Sequence, residues 1–460
     1  MQTLTQMKQF MEPKSVAIIG VSRDTGEWSF NILEHLLSYG YHGKIYPVNP
    51  NASEILGLKS YASISEITGD IDLAVISTPR ALVPRLAKEC SQHGIYSIII
   101  VGQGFNDAND NQGKQLQKEI DDIINNSPAR VVGPNTLGTA NAYINFSSAF
   151  VKIKPERNHI GLICQTGVFF AGFPEVSLIG KGIDLGNACD ISFADALEYF
   201  EQDTETKVVA LHIEGIKDAS RFIDIVKRIT PKKPLVILKT GRGQQAARAA
   251  QSHTGSLTGS HQIWSAALKQ AGAIQAGNLE ELVDLTRAFS ILPLMKNQKV
   301  GVATASGGMG IMTLDACQNS GLEIGKLTPK TQKKIESMSP QWLKVSNPVD
   351  FWPTITTAPS LIKSLIDILE IMLSDQELGA VMLTMVAFNE EWGMEIYQFL
   401  NELATAHPDK PLVAYLYGPY GDETIKMLQT AGKVTAYSTP ERAIRALARL
   451  YEYSKLRSRL

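Results

Sequence analysis

The sequence predicts an α/β protein built from three successive parallel-sheet units, the first of them Rossmann-like. Three observations carry this reading. The 460-residue length exceeds what one hydrophobic core serves, about 250–300 residues. Short apolar runs bounded by turn residues alternate with amphipathic stretches, the pattern of strands buried on both faces between helices. That alternation restarts twice, after polar breaks at 155–158 and 296–298, each time as strand, Gly- or Ser-containing loop, helix. The expected domains are 1–145, 158–292 and 298–460.

In the first unit, Ser15–Gly20, Lys44–Val48, Leu73–Ser77, Ser97–Val101 and Arg130–Val132 read as strands. Helices are expected over Phe30–Tyr39 and from about Leu82 to His93. The second unit opens with Ile160–Cys164 and the loop Gln165-Thr166-Gly167, then continues through strands Lys207–Ile213 and Leu235–Lys239 to helices ending near Leu292. The third opens with Val300–Ala305 and Ser306-Gly307-Gly308, continues through Gly379–Leu383 and Leu412–Leu416, and ends in a helix from Thr439 to about Tyr453 with Pro440 in its first turn.

Composition excludes several classes. Net charge is -2, from 44 basic and 46 acidic residues, so no basic excess would draw nucleic acid or anionic lipid. No run approaches the 18 or so apolar residues of a membrane span, and Met1–Met11 lacks the apolar core of a signal peptide. Cys90, Cys164, Cys189 and Cys317 are scattered with no CxxC pair, which argues for a reducing cytoplasm and against a zinc site or disulfide framework.

Four features could carry chemistry. The first is Gly20-Val21-Ser22-Arg23-Asp24-Thr25-Gly26, where a strand meets a small-residue loop before a helix, a geometry that cradles phosphate. Arg23 adds a fixed positive charge. The loop is not GxGxxG and the second strand ends Val48-Asn49 with no acid, so a dinucleotide oxidoreductase is disfavoured. The strand ends Val48-Asn49-Pro50 and Ser77-Thr78-Pro79 should open on the same sheet edge, where open α/β sheets bind ligands. The second feature is His253, set among small residues in Ser252-His253-Thr254-Gly255-Ser256, with Lys239-Thr240-Gly241-Arg242 upstream. The third is Glu214, at a strand end where a carboxylate can hold an imidazole in one tautomer. The fourth is Gln165-Thr166-Gly167-Val168, a helix start able to meet an anion, with Ser306-Gly307-Gly308 similar in form. Each also fits a plain turn or packing role taken singly, and His212, inside a strand, reads as core.

Together these residues make the chain resemble the alpha subunit of ADP-forming acyl-CoA synthetases (acetate–CoA ligase, ADP-forming), relatives of succinyl-CoA synthetase, over essentially its whole length. The most specific stretch is Ser252–Gly259, which looks like that family's phosphohistidine loop. Further matching stretches are Ser15–Ser22, Lys44–Pro50, Glu54–Gly57, Gly133-Pro134-Asn135, Leu185-Gly186-Asn187, Ile213-Glu214-Gly215, Leu238–Arg242 and Asn347–Asp350. The resemblance implies a CoA-binding Rossmann-like domain followed by two flavodoxin-like domains. It implies that carboxylate, CoA and ATP are interconverted with acyl-CoA, ADP and phosphate through an acyl phosphate and a phosphorylated His253, with Glu214 as its support. Gln165, Thr166, Gly167, Val168, Asn135, Thr254 and Gly255 would meet phosphoryl or acyl groups. Gly20, Ser22, Arg23, Val48, Asn49, Pro50, Ser77, Thr78 and Pro79 would contact CoA. No Walker A motif and no room for an ATP-grasp module are seen, so ATP, ADP and Mg are expected on a separate ATP-grasp beta subunit, in an alpha2beta2 assembly. The alternative is a non-catalytic CoA- or nucleotide-binding sensor of the same fold.

The chain departs from the family pattern in places. Cys164-Gln165-Thr166-Gly167 stands for the usual Ser-Gln-Ser-Gly, and Thr136 for a Cys after Gly133-Pro134-Asn135. Val168-Phe169-Phe170 replaces small residues, and Gly102-Gln103-Gly104-Phe105-Asn106 lacks an expected acid at its end. These changes leave the phosphoryl residues in place and put the acid substrate in question: a small organic acid, not necessarily acetate.

Overall fold

The computed structural model describes residues 2–26, 28–153, 155–171, 179–243, 245–246, 260–356 and 360–459. The chain forms two compact units, Met1–Leu282 and Val283–Leu460.

The first unit holds two sheets. One is a five-stranded parallel sheet in the order Lys44–Val48, Ser15–Ile19, Leu73–Ile76, Ser97–Ile100, Arg130–Val132. Its central strands are buried along their whole length because helices cover both faces, which is why they read as unbroken apolar runs. In chain order the sheet runs 2-1-3-4-5, so the direction of winding reverses between Ser15–Ile19 and Leu73–Ile76. That pair of carboxyl ends is the switch point at which such sheets open a crevice.

The second sheet has seven strands, in the order Ile274–Gln275, Leu235–Lys239, Val208–Ile213, Ile160–Cys164, Lys181–Asp184, Gly138–Asn141, Phe146–Ser147. Its first five run parallel, but Gly138–Asn141 pairs antiparallel with Lys181–Asp184 and with Phe146–Ser147. The sequence pattern predicts a wholly parallel sheet and no strand at Lys181–Asp184 or at Gly138–Asn141. Both are short and carry polar residues (KGID and GTAN), so they lack the apolar signature of an inner strand.

A helix at Gln2–Met11 ties the two sheets together. Met7, Phe10 and Met11 are buried in the shared core. Thr139 Oγ1 donates to Phe10 O at 2.7 Å, and Asn141 Nδ2 to Met11 O at 3.0 Å. Arg130, opening the last strand of the first sheet, donates through Nε to both oxygens of Asp190 at 2.9 Å.

The second unit has a six-stranded sheet whose main path is Glu323–Ile324, Lys299–Thr304, Ala380–Val386, Leu412–Tyr417, Thr435–Tyr437, with Val349–Asp350 paired beside Lys299–Thr304. Ser306 stands before the helix Gly307–Asn319 that follows Lys299–Thr304, its carbonyl accepting from Gly310 N at 3.0 Å and its side chain making no cap. The final helix Pro440–Ser458 starts at Thr439, whose side chain accepts from Arg442 N. Among the described residues, no helix is long and apolar enough to cross a membrane, and no group of His, Cys, Asp and Glu is placed to hold a metal ion.

Candidate active site

Two groups of residues gather at strand carboxyl ends of the first unit. The first lies at the switch point. Gly20 follows Ile19 with φ +84°, and its N–H donates to Val48 O at 3.0 Å. A Cβ there would sit 2.4 Å from Ser77 O and 2.5 Å from Thr78 Cγ2, so only glycine lets the two loops meet. Asn49 Nδ2 donates to Val21 O (2.9 Å), tying the second strand's end to the same loop. Ser22 Oγ accepts from Asp24 N at 3.0 Å, Arg23 is exposed, and Pro50 and Pro79 lie on the surface. Thr78 Oγ1 is buried with no hydrogen-bond partner, a feature that a bound polar group would relieve. The structure thus brings together Gly20, Ser22, Arg23, Val48, Asn49, Pro50, Ser77, Thr78 and Pro79.

The expected helix start behind this loop is modified. The helix begins at Ile32, and Asn31 caps it, its side chain accepting from Leu33 N and Glu34 N while donating to Ser22 O and Asp24 O. Glu34 in turn accepts from Gly26 N at 2.9 Å. The loop is therefore fastened to the helix by side chains, and those N–H groups are already engaged.

The second group lies at the carboxyl ends of Ile160–Cys164, Lys181–Asp184, Val208–Ile213 and Leu235–Lys239. Gln165 is 3% exposed, and its Oε1 accepts from Glu214 N (2.7 Å) and Gly215 N (3.0 Å). Its oxygen holds the neighbouring strand end rather than facing a ligand. Thr166 and Gly167 lead into a short helix, Val168–Ala171, with Val168 exposed. Lys239, also buried, donates to Glu214 O (2.8 Å) and Thr240 O (2.6 Å). Burial pushes this ammonium down to about 8, against a smaller upward pull from Glu214. Arg242 donates to the carbonyls of Lys239, Ala276 and Gly277 at 2.7–2.9 Å, so its guanidinium serves the turn. His253, Thr254 and Gly255 lie outside the described residues.

Asn135 follows the cis peptide Gly133–Pro134 and has φ +61°. Its N–H donates to Gly102 O at 2.8 Å, and its side chain meets Asn187 Oδ1 at 3.5 Å. Asn187 Nδ2 donates to Asp107 Oδ1 at 2.8 Å, and Asp107 also accepts from Gly104 N and Phe105 N. Asp107, one residue beyond Asn106, is thus the acid that fastens this loop.

Sequence reasoning missed Asp184 and left His212 as a packing residue. Asp184 is fully buried, accepts from Leu137 N (2.9 Å) and Gly186 N (3.2 Å), and burial pushes its carboxyl up to about 6. A lone Asp directly before Leu185-Gly186-Asn187 was the available signal. His212 stacks on Phe169 with ring centroids 4.6 Å apart. Thr240 Oγ1 donates to Ile213 O and meets His212 Nε2 at 3.3 Å, while His212 Nδ1 is buried without a partner. Burial and the Lys239 charge push this imidazole down to about 4. Phe169 therefore covers the polar end of a strand, and Phe170 packs against Gly182.

A switch-point cradle on one sheet and a cluster of strand-end carboxylate, amide and ammonium groups on the next lie within the same compact unit. Residues 14–142 match the model of a CoA binding domain, and residues 157–289 that of a succinyl-CoA ligase like flavodoxin domain. The chain is 33% identical to the alpha subunit of acetate–CoA ligase (ADP-forming) II from Pyrococcus furiosus, over 97% of each chain. It is 34% identical to the acetate–CoA ligase (ADP-forming) of Methanocaldococcus jannaschii over 98% of its own length, but spans only 64% of that longer protein. The solved structure of Ca. Korarchaeum cryptofilum acetyl-coenzyme A synthetase 1 with phosphate and ADP superimposes with TM-score 0.88 at 29% identity, covering 99% of this chain and 98% of that one. More distant relatives are named for other acids: a 4-hydroxybutyrate–CoA ligase (ADP-forming) from Nitrosopumilus maritimus at 31% identity and a trans-feruloyl-CoA synthase at 28%. The chain belongs to the ADP-forming acyl-CoA ligase family.

Proposed function

We propose that this chain is the CoA-binding, phosphohistidine-carrying subunit of an ADP-forming acyl-CoA synthetase, paired with an ATP-grasp beta subunit that holds ATP, ADP and Mg. The observation that carries the reading is the joining of the Gly20–Thr78 cradle to the Glu214 strand end within one compact unit. The near-complete coverage of a relative that is itself an alpha subunit supports the separate partner.

His253 takes the phosphoryl group from nucleotide on the partner and passes it to the carboxylate oxygen of the acid, giving an acyl phosphate. The CoA thiolate then attacks the acyl carbon, and inorganic phosphate leaves. Glu214 accepts the N–H of the His253 ring, so the other nitrogen carries the phosphoryl group. Thr166, Gly167 and Val168 supply a hydroxyl and leading helix N–H groups to phosphoryl oxygens, because a helix start leaves those donors without internal acceptors. Transfer of this kind rests on positioning and charge stabilisation. Gly20, Ser22, Asn49 and Thr78 seat the nucleotide end of CoA, with Arg23 toward its phosphates. The proposed boundaries, 1–145, 158–292 and 298–460, make the second domain the phosphoryl carrier. The acid is small, and the bulk of Phe169 selects among acids of different width.

Intact mass after incubation with MgATP and the candidate partner tests this, with wild type beside His253→Ala. The expected result is an acid-labile phosphoryl adduct on wild type only, discharged by CoA plus an acid. No adduct with an active partner overturns the phosphoryl role and leaves a CoA-binding sensor.

A further inference from the structure

We infer that Lys239 and Gln165 form a two-sided clamp on the Glu214 peptide, making Lys239 a positioning residue for phosphoryl transfer. The inference rests on the proposed pairing of Glu214 with His253.

The clamp is built from three adjacent strands. Lys239 closes the strand Leu235–Lys239 and stands in register with Ile213, one residue before Glu214. Its side chain, 6% exposed, crosses the strand end to reach Glu214 O at 2.8 Å. From the other side Gln165, the first residue after Ile160–Cys164, accepts from Glu214 N at 2.7 Å and Gly215 N at 3.0 Å. Both backbone groups of Glu214 are thus held by buried side chains from flanking strands. A carboxylate at a free strand end would wander by the turn's flexibility, and small misplacements of a catalytic group cost rate steeply.

The use of an ammonium for this task is informative. The carbonyls of Glu214 and Thr240 that accept from it are neutral, and a neutral donor would satisfy them with less desolvation. Retaining a buried positive charge suits a place where phosphoryl negative charge passes. Arg242 cannot substitute, because its guanidinium is spread over the carbonyls of Lys239, Ala276 and Gly277. The ionisable groups that act on Lys239 are Glu214, which favours its charge, and Arg242, which opposes it; His212 feels the same ammonium from the strand between.

The test is single-turnover phosphoryl loading of the full chain by MgATP and the ATP-grasp partner, for wild type, Lys239→Met, Lys239→Arg, Glu214→Gln and the double variant Lys239→Met/Glu214→Gln. Misplacing a catalytic group by about 1 Å costs about 100-fold in rate. Lys239→Met is expected to slow loading by that factor without changing CoA affinity, which reports the fold at the other sheet. Lys239→Arg recovers most of the rate. Wild-type loading falls above about pH 8, where the ammonium deprotonates, and the arginine variant loses that limb. Because the lysine acts through Glu214, the methionine change costs little on the Glu214→Gln background. If the two losses multiply in full, or if arginine is no better than methionine, the clamp is refuted. If Glu214→Gln alone loads at the wild-type rate, the assignment of Glu214 fails and the clamp's role falls with it.

Discussion

Gly20→Ala tests whether the switch point is a close approach of two loops or an ordinary turn. The backbone at Gly20 has φ +84°, a region in which an L side chain costs about 1–2 kcal/mol. The added methyl would also meet Ser77 O at 2.4 Å and Thr78 Cγ2 at 2.5 Å. Backbone oxygen cannot swing aside, so the loops must part, and overpacking of this kind costs about 1–3 kcal/mol more. Gly26 provides the control. It has φ +105° and nothing within 4 Å of its Cβ position, so Gly26→Ala carries the backbone cost without the clash. At roughly 2–4 °C per kcal/mol for a unit of this size, Gly20→Ala should melt roughly 2–12 °C below Gly26→Ala. Thermal melts of both variants, with CoA titration by calorimetry, read the two consequences. Gly20→Ala should also lose CoA affinity, because parting the loops opens the seat around Thr78. Equal melting of the two variants would refute the close approach. A melting gap with unchanged CoA affinity would detach the cradle from CoA.

Two buried groups should give stability slopes of opposite sign. Asp184 sits near 6 in the fold against 3.8 unfolded, so the fold binds its proton more tightly and loses stability as pH rises through that window. Urea unfolding should therefore show Asp184→Asn gaining about 2 kcal/mol on wild type between pH 4 and pH 7. His212 sits near 4 against 6.5, so wild type loses stability as pH falls from 6.5 toward 4. His212→Gln should gain about 3 kcal/mol on wild type over that fall, and a flat difference would show the imidazole to be hydrated. Arg130→Met strands the carboxylate of Asp190, whose side chain is 11% exposed, while Asp195 keeps Arg221 and Ser192, and should cost about 3–5 kcal/mol in urea unfolding. Arg130→Lys should fall between, since an ammonium cannot reproduce the forked contact.

Much of the fold was legible because inner parallel strands must be apolar on both faces. SVAII, LAVI, SIII and LVILK announced themselves, and their observed bounds differ from the expected ones by a residue or so. The Gln2–Met11 helix was also written in the sequence, as Met7, Phe10 and Met11 at helical spacing, but its polar composition disguised it. Lys181–Asp184 could not be read this way. Lys181 is buried in the sheet with Asp203 and Glu205, each 2.6 Å from its Nζ, neutralising it from beyond the next helix and Glu12 adding a third carboxylate at 3.5 Å.

The residues of the candidate site were named by the sequence more fully than their tasks were. Strand-end position follows from local pattern, so Gly20, Asn49, Thr78, Gln165 and Glu214 fall on the right sheet edges from that pattern alone. What each side chain does there depends on partners far away in the chain. Gln165 looked like an anion contact until Glu214, 49 residues on, claimed its oxygen. Arg242, part of the positive charge after the Leu235–Lys239 strand, is taken up by the carbonyls of Ala276 and Gly277. Lys239 looked like general positive charge and is fastened to the carbonyls of Glu214 and Thr240 at two strand ends. Sequence by itself determined which side chains stand at which sheet edges, because burial pattern and turn residues are local. Tertiary structure decided which of those groups are spent holding one another, because a buried polar atom takes the nearest partner that folding brings to it.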